Sequence, residues 1–232
     1  MKLYYDLHIH SALSPCGDED MTPNNIVNMA CLLGLDLIAV TDHNTAENVR
    51  AVCNAAEGKI KVVPGIEVTT AEEVHTLCYF PSVEAAEDMS GFLKKNMQGI
   101  KNRPEIFGRQ LLMNSNDEIV GEEENLLISA VNLDIYEVCG ATKERGGLFV
   151  PAHIDKSSYS VLANLGFLPP DLEADALEIT AQNMEKYKEH YNQFTIFTSS
   201  DAHYLGDISE KSAYLDDKSK ISQKIVEFLC KF

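Results

Sequence analysis

Several short apolar runs in this chain end in histidine or carboxylate residues. "LYYDLHIH" stands near the start, "DLIAV" runs into "TDHN", and "KIKVV" into "PGIEV". "GLFVPAH", "DALEIT" and "FTIFTSSDAH" close in the same manner. Stretches of helical spacing lie between them. In "TPNNIVNMACLLGL", Thr22 suits an N-cap and Pro23 the first helical position, while Ile26, Met29, Ala30 and Leu33 share a face and Gly34 ends the run. "TAENVRAVCNAAEG" reads as a second helix closed by Gly58. Repeated strand-then-helix units point to an α/β fold with parallel strands. Such folds collect the residues at their strand ends into one site.

Some local expectations are specific. Strand side chains alternate, so Leu3, Tyr5, Leu7 and Ile9 should share one face of the first strand, and Asp6, His8 and His10 the other. "VHTLCYF" looks like a fourth strand, with His75 at its start, the wrong end for a strictly parallel barrel. Either this strand runs against its neighbour, or His75 belongs to a loop that returns to the site. Residues from about 83 to 144 read as helical and charged, flanking the site, and "SQKIVEFLCKF" as a closing helix. Residues 1–232 read as a single domain.

The 232 residues are 45% hydrophobic, enough for an ordinary core. The formal net charge of −17 argues against duplex nucleic acid and anionic membranes as partners. Bound cations can still reverse the sign locally for an anionic substrate. None of the six cysteines forms a CxxC pair, and most sit in apolar runs as small hydrophobes. The N-terminus has no apolar signal core, and no run reaches the length of a membrane span. A reduced, cytoplasmic protein is the simplest expectation.

Of the seven histidines, His8, His10, His43, His75, His153 and His203 fall at strand ends or their loops. Only His190, in "NMEKYKEHYNQF", does not. Singly, each is an ordinary polar residue. Together with Glu67 and Asp201 they point to bound metal, because imidazole and carboxylate donors suit Zn, Mn, Fe or Co better than Ca. The donors exceed what one tetrahedral ion needs, so two or three divalent ions (Zn, Mn or Fe) are expected. Glu67 has two oxygens and can bridge.

"DLHIHS", "TDHN", "PGIEV", "VHTLCYF", "PAHID" and "SSDAH" resemble, in that order, the motifs of the PHP (polymerase and histidinol phosphatase) family. The resemblance runs from Asp6 to about Gly206. It implies a distorted seven-stranded (β/α)7 barrel, a three-metal site and phosphoesterase activity. "ERGGLFVPAHID" also looks like the branch of nucleoside and oligonucleotide phosphoesterases. Carried over, the motifs imply a first ion on His8, His10, Glu67 and Asp201. They imply a second on Glu67, His75 and His153, and a third on His43, His203 and a residue of the loop after HxH. That loop departs from the family's "SDG". Asp18 is the first choice there, then Asp20, with Cys16 also within reach.

The expected reaction is hydrolysis of a phosphate ester by a hydroxide bridging two ions. The sequence has no GxSxG or CxxxxxR nucleophile motif. His203, Asp201 and His43 are the candidates for a direct part in catalysis, with His203 or His43 able to protonate the leaving oxygen. Lys156, Arg103 and Arg109 are the candidates to meet a substrate phosphate. Asp42 can orient an imidazole or cap the following helix, and Asp6 can orient one or play a buried structural role. The expected substrate is a small phosphorylated one: a nucleotide, a nucleoside bisphosphate or a short oligonucleotide end. Alternatives are a histidinol-phosphate-type phosphatase, a barrel amidohydrolase, and a metal-stabilised binding or regulatory module without turnover.

Overall fold

A computed structural model of the protein describes residues 2–215 and Phe228. In chain order its elements are β1 (Leu3–Ile9), α1 (Pro23–Leu32), β2 (Leu37–Val40), α2 (Val49–Ala56), β3 (Lys61–Thr69), β4 (His75–Tyr79), α3 (Val83–Asn96), α4 (Pro104–Phe107), β5 (Leu111–Met113), β6 (Ile119–Glu122), α5 (Ile135–Glu144), β7 (Leu148–Pro151), α6 (Val161–Asn164), β8 (Ala176–Glu178), α7 (Met184–His190), β9 (Thr195–Phe197) and β10 (Tyr214–Leu215). The start of α1 follows its sequence signal: Thr22 accepts the Asn25 amide and Pro23 occupies the first turn. Apart from Phe228, the expected closing helix lies outside the described residues, as does Cys230.

Six strands form a curled half-barrel sheet in the order β10-β1-β2-β3-β4-β7. β1, β2 and β3 run parallel, whereas β4 runs against both β3 and β7. Of the two alternatives left open for His75, the strand that runs against its neighbour is the one observed. An antiparallel strand begins where its neighbour ends, so His75 stands at the same rim as the end of β3. The register places it opposite Thr69. β3 changes partners midway, pairing with β2 as far as Pro64 and with β4 from Gly65. Gly65 leaves room for this crossing, because a Cβ there would lie 2.7 Å from Thr41 Cγ2.

β8 and β9 form a separate parallel pair. Backbone bonds connect this pair to both flanks of the sheet. Asp175 N donates to Phe149 O and Ile154 N to Glu178 O, linking β7 to β8. His10 N donates to Ala202 O and Ala202 N to His8 O, linking β1 to the chain after β9. Inside the curl lies a cluster that includes Leu7, Ala39, Val63, Leu77, Val150 and Phe197. A second cluster, with Ile9, Ile38 and Val40, packs under α1 and α2, and a third, with Ile66, Val68 and Phe149, under α3 and α5.

The strict alternation expected of β1 is broken. Asp6 pairs with Ile38 but Ile9 with Val40, so β1 advances three residues while β2 advances two. This bulge separates Leu7, which packs inside, from Ile9, which packs under the helices. A bulge re-aims the side chains in and just after it, and here those are His8 and His10.

The segment 83–144 is also less helical than its charge suggested. It contains α3, α4 and the start-to-end span of α5, but also the β5–β6 hairpin. Asn114 turns this hairpin by accepting the Asn116 and Glu118 amides on its side-chain oxygen, and Asp117 adopts φ 62°. Strands of three and four residues are too short to show a period among so many charges. Among the described residues no helix is long and apolar enough to cross a membrane.

Candidate metal centre

The polar rim continues the inner face of the sheet. Val63, Gly65 and Glu67 share a side of β3, as do Tyr79, Leu77 and His75 of β4 and Ala176 and Glu178 of β8. Each column is apolar below and carries an imidazole or carboxylate at its end. Glu67 sits at the middle, fully buried. Its Oε1 lies 2.9 Å from His75 Nδ1, 3.2 Å from His153 Nε2 and 3.3 Å from His8 Nε2. Its Oε2 lies 3.0 Å from His43 Nδ1 and 3.4 Å from His10 Nε2. Asp201 Oδ1 is 3.2 Å from the Nε2 atoms of both His8 and His10. The His203 ring stacks on His10 with centroids 4.1 Å apart.

Three overlapping groups have ligand atoms close enough to share an ion: His8, His10, Glu67 and Asp201; His43, Glu67 and His75; and His10, His43 and His203. His153 joins through the oxygen of Glu67 that also faces His75. Asp18 is not brought in. Its Oδ1 accepts the Asp20 amide, and only its backbone reaches the centre, donating to His203 O. Asp20 and Cys16 are exposed, and neither belongs to the three groups. The physical reason is the fold of the loop. Ser14 N bonds to Ser11 O and Gly17 N to Ser14 O, which turns Ser14 inward and the acidic run outward.

That serine is the first of two partners missed in the sequence. Ser14 Oγ donates to Asp42 Oδ1 at 2.7 Å and so receives His10 Nδ1–H at 2.9 Å. Asp42 also accepts the Ser11 amide and hydroxyl at 2.7 and 2.6 Å. Asp42 therefore orients an imidazole indirectly, through Ser14, and does not cap α2. The second missed partner is Glu178. Both of its oxygens lie 3.1 Å from His8 Nδ1, and Oε2 also accepts the His153 amide at 2.9 Å. With Nδ1–H held by Glu178, His8 turns its Nε2 lone pair to the centre. The signal was present: "DALE" ends an apolar run on a carboxylate, as β3 does. Asp6 plays the structural role, accepting the amides of Ser200 and Ser209.

The centre is electrostatically tense. Burial resists charging His8, but the carboxylates of Glu178, Asp201 and Glu67 overcome it and raise that imidazole well above its usual range. His10 rises to about 9 because Asp201 and Glu67 outweigh its burial. Burial dominates at His43, which falls to about 3. Burial and the nearby His10 lower His203 to about 4. Burial works against ionising Glu67 and Asp201, yet the surrounding imidazoles hold both well below the usual carboxylate range. His43 Nδ1 and Glu67 Oε2 are buried and 3.0 Å apart, yet neither makes a hydrogen bond. A cation between them would satisfy both. The donor set of imidazole nitrogens and carboxylate oxygens fits a divalent transition metal. His153 and Asp201 also hold positive φ values of 27° and 56°, which non-glycine residues adopt only when the surroundings impose them.

Of the three cations expected near a substrate phosphate, only Lys156 is at the centre. Its ammonium pairs with Asp201 Oδ2, and it lines a cavity of about 200 Å³ with His153, Glu178, Thr180, Ser200 and Asp201. Arg109 instead pairs with Glu122 and Glu19, and Arg103 is an exposed residue at the start of α4. His190 is exposed on α7, outside the cluster.

The sequence matches the PHP domain over residues 6–228. The chain belongs to the PHP domain family. A curated relative, an uncharacterized protein of Methanocaldococcus jannaschii, is 30% identical over 111 residues, which make up 46% of this chain and 14% of that protein. Solved structures share the fold. The lesion-specific endonuclease EndoQ of Pyrococcus furiosus superposes with a TM-score of 0.70 at 20% identity, over 99% of this chain and 56% of that one. A Bifidobacterium adolescentis protein, provisionally named a metal-dependent phosphoesterase, gives a TM-score of 0.63 at 19% identity, over 99% and 96% of the two chains. This PHP chain thus spans little more than half of the endonuclease and a small part of the curated relative. The family and these neighbours agree with a hydrolase whose histidines and acids can hold metal.

One expectation is overturned. Endonuclease Q has also been solved with a 27-mer duplex substrate carrying an abasic lesion at its active site, and it shares this fold with a TM-score of 0.67 at 21% identity, over 88% of this chain and 50% of that one. A protein of this fold therefore does take duplex DNA, and the exclusion of duplex nucleic acid as a partner does not stand. Net charge sums the whole surface, whereas a phosphate meets the local field and any cations bound there.

Proposed function

We propose that this PHP chain is a metal-dependent phosphoesterase that acts on nucleotide-type phosphate esters. The observation that carries this reading is the convergence of six histidines, Glu67 and Asp201, with buried donor atoms left without hydrogen bonds. Bound divalent ions supply charge to neutralise phosphate oxygens and lower the pKa of water. His8, His10, Glu67 and Asp201 would hold one ion, and Glu67, His75 and His153 a second. His43 and His203, with His10 nearby, would hold a third. Glu178 and the Asp42–Ser14 pair keep His8 and His10 in the tautomers that face the centre. His43 and His203 serve as neutral ligands in this reading, since only an unprotonated imidazole nitrogen can bind a metal ion. Lys156 stands where it can meet a substrate phosphate beside Asp201.

We further propose a closed barrel and a single domain. Seven strands, β1–β4 and β7–β9, close a distorted barrel; the backbone bonds on both flanks of the β8–β9 pair support this. Residues 1–232 act as one domain, in a reduced, cytoplasmic setting that suits the free cysteines at 16, 31, 53, 78 and 139.

The test is metal content with turnover. Protein purified without chelator is analysed for metal, then assayed with Mn for cleavage of mononucleotides, nucleoside bisphosphates, single-stranded oligonucleotides and a duplex with an abasic site. Metal in stoichiometric amount and cleavage of at least one ester are expected. His8→Ala and Asp201→Ala should lower the rate by at least about 10–100-fold, the cost of losing a group that holds the metal, while His190→Ala remains at the wild-type rate. A metal-free, inactive protein would overturn the reading.

A further inference from the structure

The chain after β7 brings three chemistries to one side of the centre within seven residues. His153 faces Glu67, Lys156 pairs with Asp201, and Tyr159 lies against His75. The Tyr159 and His75 rings stack with centroids 4.8 Å apart and planes 25° from parallel. The contact is fixed by the backbone as well, since His75 N donates to Tyr159 O at 2.9 Å. Tyr159 adopts φ 53°, a left-handed conformation that a bulky residue takes only under constraint. Yet the residue remains 42% exposed. Burial is where the stabilisation of a packed ring comes from, and a large part of this residue is left out of it. Here the ring covers a residue of the metal centre while much of the residue stays exposed to solvent.

We infer that Tyr159 is a specificity-determining residue: its open ring is a stacking platform for a flat aromatic group carried by the substrate, such as a nucleobase. The phosphate of that substrate lies at the neighbouring His75, His153 and Lys156. This rests on the phosphoesterase reading and adds to it the residue that distinguishes an ester carrying an aromatic base from one without. The bland alternative is that the ring only shields His75 from water. A shield acts on every substrate alike, whereas a platform acts only on substrates with something to stack.

A matched pair separates the two. A nucleoside 5′-monophosphate and ribose 5-phosphate present the same phosphomonoester on the same sugar and differ by the base. Both are assayed with the Mn-loaded wild type, Tyr159→Leu and Tyr159→Phe, alongside bound metal and circular dichroism. Base stacking is lost in Tyr159→Leu, so KM for the nucleotide should rise about tenfold or more. KM for ribose 5-phosphate should stay within about twofold, and Tyr159→Phe should restore the wild-type preference. Should the leucine variant misfold or lose metal, Tyr159→Trp carries the test, with a lower KM for the nucleotide alone. Equal changes for both esters, or none for either, overturn the platform while leaving the phosphoesterase reading intact. A wild type that cleaves no phosphate ester overturns both.

Discussion

At the scale of single residues, orientation matters as much as identity. His8 and His10 are useful to a cation only if their Nε2 lone pairs point inward, and each is turned by a partner that sequence reading did not assign. Glu178 holds His8 from β8, and Ser14, itself held by Asp42, receives the Nδ1–H of His10. Glu178→Gln keeps the shape but loses the charge that fixes the His8 tautomer. Metal affinity should fall by about 10–100-fold, with the circular dichroism spectrum unchanged. Titration with Mn or Zn checks this, and wild-type affinity would reduce Glu178 to a space-filling role. The sorting of the histidines was legible because strand ends are marked by the apolar runs before them. The partners were less so. A serine in a turn carries no periodic signal, and Asp18 was the first choice in a loop where the turn in fact aims Ser14.

At the scale of elements, two irregularities build the site. The bulge in β1 shifts its phase between Leu7 and Ile9, and the reversal of β4 brings His75 to the rim where β3 ends. β4 is pinned at its far end by Gly147, just before β7. A Cβ there would lie 2.6 Å from Tyr79 O, 2.9 Å from Thr142 Cγ2 and 3.0 Å from Thr142 O. Two of these are backbone atoms that cannot swing away. Gly147→Ala should therefore destabilise the protein by about 2 kcal/mol through overpacking, read as a lower urea midpoint. The folded fraction should retain its metal, because the change is at the opposite end of β4 from His75. A midpoint equal to that of the wild type would mean that α5 can move aside.

At the scale of the whole molecule, the centre concentrates charge in the interior, and the fold's stability depends on what neutralises it. Removal of divalent metal with a chelator should lower Tm. The loss grows with the free metal concentration used for comparison, by about 2.7 kcal/mol at a hundredfold excess over Kd. A Tm independent of metal would argue against tight binding. The cysteines report on the same structure from outside the site. Cys16 and Cys31 are exposed, while burial pushes Cys53 up to about 11 and Cys78 up to about 12. Brief iodoacetamide treatment of the native protein at pH 8 should label Cys16 and Cys31 and spare Cys78, as read by peptide mass spectrometry. Labelling of Cys78 at a comparable rate would mean that the core under α3 and α5 opens readily.

The sequence alone determined the α/β class, the start of α1, and which imidazoles and carboxylates stand at strand ends. Those properties are local, set by side-chain period, capping chemistry and the apolar runs preceding each polar residue. The order of motifs was enough for the family. Strand direction, the bulge, the β5–β6 hairpin, Glu178 beside His8 and Ser14 beside His10 were decided only in the tertiary structure. Each depends on contacts between residues far apart in the chain, or on a turn whose direction is set by its neighbours. The whole-chain charge misled for the same reason: composition records how many carboxylates there are, and only folding places them around a metal centre or far from it.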